Sequence, residues 1–259
     1  IVMCGVHFMG ETAKVLCPNK KVLVPDMEAG CSLADSCPAD KFAQFVKEHP
    51  GHTVISYVNT TAAVKAVTDV VVTSTNARQI VESFPEDEKI IFGPDRNLGN
   101  YINSVTGRNM LLWDGACHVH EQFSVEKIVE LKQQHPGAVV LAHPECKNTV
   151  LKLADVVGST AALLKYAVAH PEKDYIVATE SGILHEMQKK CPQTKFIPAP
   201  PNDSTCACNE CNFMRLNTLE KLYNCLKDES PEIKVDAEIA EKAVKPIKRM
   251  LEISAKLGL

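Results

Sequence analysis

The chain is poor in aromatics, with one tryptophan and 5% Phe, Trp and Tyr in 259 residues. Its 28 Lys and Arg are outnumbered by 32 Asp and Glu, for a formal charge of −4. With no basic run and no aromatic stripe beside one, a nucleic-acid surface is excluded as a reading, and small-molecule chemistry takes its place. No apolar stretch approaches the roughly 20 residues that a membrane-spanning helix requires. A charged n-region followed by a small-residue cleavage site is also missing. The expectation is a cytoplasmic protein with neither membrane nor nucleic acid as partner. Absent too are the G-x-G-x-x-G spacing and the Walker lysine of nucleotide loops. "GPDRNLG" (93–99) therefore reads as a turn and helix start, with Asp95 and Arg96 orienting neighbours or pairing with each other.

Cysteine, by contrast, is abundant. Eleven are present, and the odd number argues against a simple disulfide framework. Three fall in "TCACNEC" (205–211), one C-x2-C pair plus a further thiol, which is short of the four ligands of a closed zinc site.

Short β-branched runs such as "HTVISYVN", "DVVVTS", "KIIFGPD", "AVVLAHPE" and "DYIVATE" alternate with helix-length segments. Near-continuous apolar strands of this kind predict parallel sheets covered on both faces, an α/β fold. The opening "IVMCGV" and "KVLVPD" read as strands of the same type. The strands also recur in order. Tyr57 to His143 is 143 − 57 = 86 positions, Asp69 to Asp155 is 155 − 69 = 86, and Cys31 to Cys117 is 117 − 31 = 86. A third copy ends at Cys211, 211 − 117 = 94 positions on, where "PPNDSTCACNE" lengthens the loop.

The repeat predicts three similar three-layer α/β/α domains with small parallel sheets around a pseudo-threefold axis. They divide as 1–50 (a partial first domain), 51–136, and 137–259 with a C-terminal helix patterned on Ile239, Ala243, Ile247, Met250 and Leu251. The first copy holds only the second half of a unit, so one β-α-β segment is expected upstream of Ile1. Cys31, Cys117 and Cys211 stand just past the last strand of each copy, the end where open parallel sheets bind ligands. Three thiolates without an equivalent fourth suit an iron-sulfur cluster with one iron open. The competing readings are packing cysteines, or a zinc knuckle of Cys206, Cys208 and Cys211 with a histidine from elsewhere.

The stretches "PDMEAGC", "YVNTTA", "TSTNA", "GACHVH", "HPEC", "VGST" and "CNECNFMRLNTLEKL" together resemble the quinolinate synthase family along nearly the whole chain. The resemblance implies a transferase that condenses iminoaspartate with dihydroxyacetone phosphate, yielding quinolinate, phosphate and water. It implies three α/β domains around a [4Fe-4S] cluster held by Cys31, Cys117 and Cys211. An L-aspartate oxidase or aspartate dehydrogenase is the upstream supplier it implies. The family's N-terminal histidine-x-tyrosine element and serine-bearing helix start have no counterpart here. A non-catalytic metal-binding or redox-sensing protein on the same scaffold is the alternative.

Among candidate site residues, His143 and Glu145 are expected on one face at the end of a strand by period two, with Glu145 as general acid or base. Tyr57 and Asn59 occupy the equivalent place one repeat earlier and can orient carboxylates. His120 follows Cys117 by three residues and is expected to hydrogen-bond substrate. Thr73 with Ser74, and Ser159 with Thr160, are read as hydroxyls at helix starts, suited to anions. Ser74, Ser159 and Thr160 also match substrate-binding positions of the family.

Overall fold

The computed structural model describes residues 1–203 and 209–259, so Cys206 and Cys208 lie outside the described residues. The chain divides into two compact units, Ile1–Gly115 with Asn212–Leu259, and Ala116–Cys211.

In the first unit α1 (His7–Leu16), α2 (Ser32–Asp35) and α3 (Ala39–Glu48) lead into β1 (Thr53–Tyr57), α4 (Ala62–Lys65) and β2 (Val70–Val72). Next come α5 (Ala77–Glu82), β3 (Ile90–Gly93), α6 (Arg96–Thr106) and β4 (Leu111–Leu112). All four strands are parallel, in the order β2-β1-β3-β4. The expected start of α6 holds: Asp95 accepts Leu98 N–H at 2.8 Å as N-cap, and Gly107 closes the helix at φ 71.

The second unit repeats the plan. Its elements are α7 (His118–Glu121), α8 (Val125–Gln134), β5 (Val139–Ala142), α9 (Asn148–Leu151), β6 (Val156–Val157), α10 (Thr160–Ala169), β7 (Tyr175–Ala178), α11 (Ile183–Lys190) and β8 (Phe196–Pro198). The strand order is β6-β5-β7-β8, again all parallel. The two copies agree down to single hydrogen bonds. Asp69 accepts Val54 N–H at 2.8 Å, and Asp155 accepts Val140 N–H at 2.8 Å. Both carboxylates clasp the first strand at the same register, which is why the aspartates recur at a fixed offset.

Alternate residues of β5 and β7 go to opposite faces. Val140, Ala142, Ile176 and Ala178 pack with Phe123, Ile128 and Val150, whereas Leu141, Tyr175 and Val177 pack with Leu163, Ala167 and Met187. The sheet is thus buried on both sides, and its strands can be apolar throughout.

The chain returns to the first unit through α12 (Asn212–Arg215), α13 (Leu219–Asp228) and α14 (Ala237–Leu257). Asp236 caps α14, which packs on β2, α4, α1 and α5. Its buried residues are Ala243, Pro246, Ile247 and Met250. Leu251, expected among them, is 53% exposed, because Met250 at the i+3 position from Ile247 takes the inward place.

The expected strands in 1–6 and 21–26 reduce to one parallel bridge, Val2 to Leu23. On its other side the second segment is engaged by the chain after α13, through Val24 N–H to Pro231 O at 3.3 Å and Ile233 N–H to Val22 O at 2.8 Å. A proline at position 25 supplies no donor to extend the ladder.

Candidate active site

The end of β5 opens into a turn, with Cys146 N–H bonded to His143 O at 2.9 Å. That turn, rather than strand periodicity, brings His143 and Glu145 together, since β5 stops at Ala142. His143 Nδ1 lies 3.6 Å from Glu145 Oε1 and accepts Glu145 N–H at 3.3 Å. Nδ1 therefore presents a lone pair, which places the proton of the neutral ring on Nε2.

His120, on α7, completes the group. Its Nδ1 sits 3.2 Å from Glu145 Oε2, and its ring lies 5.0 Å from that of His143. All three side chains are buried, at 7% exposure for His120, 4% for His143 and 3% for Glu145. Burial pushes the His143 pKa down to about 4; Glu145 opposes this shift and His120 adds to it. His143 is thus a neutral imidazole at neutral pH. His118, half-buried, is also lowered, by burial and then by His120.

The sequence reading missed Thr179, which is buried directly after β7 and meets His120 Nε2 at 3.1 Å. Its signal was available, since it stands at the C-terminal end of a central parallel strand. Glu180 was missed too; it accepts N–H groups from Gly182 at 2.7 Å and from Cys211 at 3.2 Å.

In the first unit Tyr57 is buried at the end of β1, while Asn59 lies beyond the strand and lines an apolar cavity of about 560 Å³ with Phe8 and Met9. Thr73 and Ser74 do not start a helix: α5 begins at Ala77 with Asn76 before it, and Asn76 Oδ1 accepts Thr73 N–H at 2.7 Å. Ser159 does cap α10, accepting Ala162 N–H at 3.3 Å, and Thr160 is exposed at its first position. Arg96 pairs with Asp114 at 3.2 Å.

A second group that the sequence reading passed over is Lys65, wholly buried at the end of α4. Its ammonium donates to Val58 O at 2.8 Å, to Thr60 O and to Thr60 Oγ1 at 3.3 Å, with the Phe8 ring 5.6 Å away. Burial lowers its pKa to about 7 against the opposing pull of Glu11 and Cys31.

Among the described cysteines two groups bear on the site. Cys37 is a core residue whose thiol burial pushes up to about 12, and Cys146 is buried against Ala178 O at 3.3 Å. Cys31, Cys117 and Cys211 are half-buried, and each immediately precedes a four-residue helix, α2, α7 and α12. Cys31 and Cys117 occupy the N-cap position in extended backbone without using sulfur as a cap acceptor. Cys31 also lines a cavity of about 320 Å³ with His7, Glu28 and Phe213. Three soft donors held at equivalent, partly open positions are a donor set that fits an iron-sulfur cluster.

The family model described as Quinolinate synthetase A protein matches residues 1–252. The chain belongs to that family. The quinolinate synthase of Chloroherpeton thalassium is 58% identical over 254 residues, covering 98% of this chain and 79% of the relative. Those of a Synechococcus species and of Nostoc punctiforme are 56% and 57% identical over 98% of the chain, covering 80% and 78% of those relatives. Among the described residues no helix is long and apolar enough to cross a membrane.

Proposed function

We propose that this enzyme condenses iminoaspartate with dihydroxyacetone phosphate to give quinolinate, one phosphate and two waters. The observation that carries the reading, beside family membership, is the buried Glu145 carboxylate held between two imidazoles at the C-terminal end of a parallel sheet, in the same unit as Cys117.

Ring closure requires protons to leave carbon and nitrogen and to arrive on departing hydroxyl groups. Glu145 can take and return such protons, because a carboxylate is both base and, once protonated, acid. His143 stays uncharged and offers Nε2–H as a donor to a substrate carboxylate or hydroxyl. Thr179 fixes the His120 ring through Nε2, so the imidazole that faces Glu145 does not swing. Tyr57, Asn59, Ser74, Ser159 and Thr160 are proposed to bind the anionic ends of the two substrates.

Cys31, Cys117 and Cys211 are proposed to hold a [4Fe-4S] cluster, one from each of three related modules, of which 1–50 carries part. When bound, the cluster supplies an open Lewis-acidic iron that can hold a substrate carboxylate or polarise a leaving hydroxyl. An L-aspartate oxidase or aspartate dehydrogenase would supply the imine, and the cytoplasm is the proposed compartment.

Anaerobic reconstitution with iron and sulfide tests the reading. The cluster's visible absorbance is expected in the parent chain and lost in Cys31→Ser, Cys117→Ser and Cys211→Ser. Its survival in those three variants, or its loss in Cys206→Ser and Cys208→Ser instead, overturns the ligand assignment. Cluster binding without quinolinate from the two substrates, under conditions where a cyanobacterial relative turns over, would favour the redox sensor.

A further inference from the structure

Cys117 Sγ, a His120 ring nitrogen and a Glu145 carboxylate oxygen lie within 4.8 Å of one another, and all three residues belong to the second unit. This grouping differs from the three repeat cysteines, of which it shares one. We propose that, in the cluster-free chain, it is a mononuclear site for a zinc-class divalent cation, with one coordination position left to water.

The His120 ring supplies the decisive detail. It is 93% buried (7% exposed), and its Nδ1 makes no hydrogen bond even though Glu145 Oε2 is only 3.2 Å away. A protonated Nδ1 would be expected to donate to that oxygen, yet no hydrogen bond joins the two atoms, so the nitrogen is read as presenting a lone pair beside the carboxylate. Thr179 can accept in this tautomer: with Nε2–H donated to its hydroxyl, 3.1 Å away, Nδ1 is left as the ligand atom. A metal-binding histidine is commonly oriented by such a contact on its other nitrogen.

Geometry agrees. Zinc bonds of about 2.0–2.3 Å to nitrogen, oxygen and sulfur set tetrahedral ligand-to-ligand separations of roughly 3.3–3.8 Å. Starting from the 3.2 Å pair and the 4.8 Å envelope, the half-buried thiol would have to move inward by about 1 Å. One Cys, one His and one carboxylate match the borderline-soft preference of Zn²⁺, and three protein ligands leave the fourth position open. Binding breaks the Cys117 S–H bond, releases that proton to solvent and forms a metal–sulfur bond, with no change of oxidation state. Because Cys117 is shared, a zinc-loaded chain cannot at the same time give that sulfur to a cluster.

The test uses the full chain, stripped of iron with a chelator and kept anaerobic, titrated with Co²⁺ alone as a visible reporter. One equivalent is expected, with a sulfur-to-cobalt charge-transfer band, tetrahedral d–d bands and one proton released. Cys117→Ser should abolish the charge-transfer band while keeping the fold, since serine is a favourable N-cap residue. Glu145→Gln should weaken binding at least tenfold, and Thr179→Val by about 10–100-fold, the usual cost of removing an orienting partner. Both are near-isosteric, so the result does not hang on a truncated histidine. Cys31→Ser and Cys211→Ser should leave the cobalt spectrum unchanged.

The assignment is overturned if no thiolate–cobalt band appears, if it survives Cys117→Ser, if affinity is unaltered in both Glu145→Gln and Thr179→Val, or if Cys31→Ser or Cys211→Ser removes it. The proposed cluster is read separately. A chain that binds cobalt as described but never acquires iron-sulfur absorbance refutes the cluster and leaves this site standing.

Discussion

Lys65 offers a sharp test of how burial and charge compete in the first unit. Its pKa falls from 10.5 to about 7, a depression of about 3.5 units or roughly 5 kcal/mol of disfavoured charge. In the unfolded chain the ammonium is solvated and titrates near 10.5. Between about pH 7 and 10.5 the unfolded state therefore binds one more proton than the folded state, and stability rises with pH by up to about 1.4 kcal/mol per unit. Below pH 7 both states are protonated and this contribution flattens.

Lys65→Met removes the titration but strands the carbonyls of Val58 and Thr60, at a pH-independent cost of about 1–3 kcal/mol each. Urea unfolding of both chains at pH 6.0, 7.0, 7.5 and 8.5 isolates the effect, because cysteine titrations common to both cancel in the difference. The parent should gain about 1 kcal/mol on the variant between pH 7.5 and 8.5, and much less between 6.0 and 7.0. Parallel stability curves would refute the reasoning. They would mean that Glu11, Cys31 and the three oxygen acceptors hold the ammonium as a cation despite its burial.

Glu145→Gln is expected to lower kcat by about 10²–10⁴-fold with a smaller effect on KM, measured as quinolinate formed by the cluster-loaded enzyme. His143 carries the same sign in a more acidic window: its folded pKa of about 4 lies below the ordinary 6.5, so stability present above pH 6.5 is lost as pH falls from 6.5 toward 4. Urea midpoints across that window should fall more steeply for the parent than for His143→Gln. At Gly115 an added Cβ would lie 2.5 Å from Pro94 O and collide with the Ser36 hydroxyl. Gly115→Ala should cost about 1–3 kcal/mol by the same urea assay.

The sheets were readable because burial on both faces leaves uninterrupted apolar strands, and because each copy keeps an aspartate that clasps its first strand. Position alone was harder to convert into geometry. His143 and Glu145 were rightly paired, but on the wrong grounds, since the strand ends at Ala142 and a turn makes the contact. Thr73 and Ser74 looked like a helix start because hydroxyls commonly are; Asn76 three residues on from Thr73 ties down that residue's N–H and holds the cap position itself. Thr179 and Lys65 left no trace in a hydrophobicity pattern. Thr179 is defined by what lies across from it, and Lys65 by a full desolvation that "AAVK" does not announce.

The N-cap cysteines have one more consequence. A serine at position 31 or 117 would spend its oxygen on the first turn of the helix, whereas neither sulfur does so. The N-caps of α2 and α7 therefore do not rest on a hydrogen bond to either sulfur. If the cluster proposed for these thiols is lost in air, those caps would stay in place, so restocking iron and sulfide is expected to repair the chain without a round of refolding.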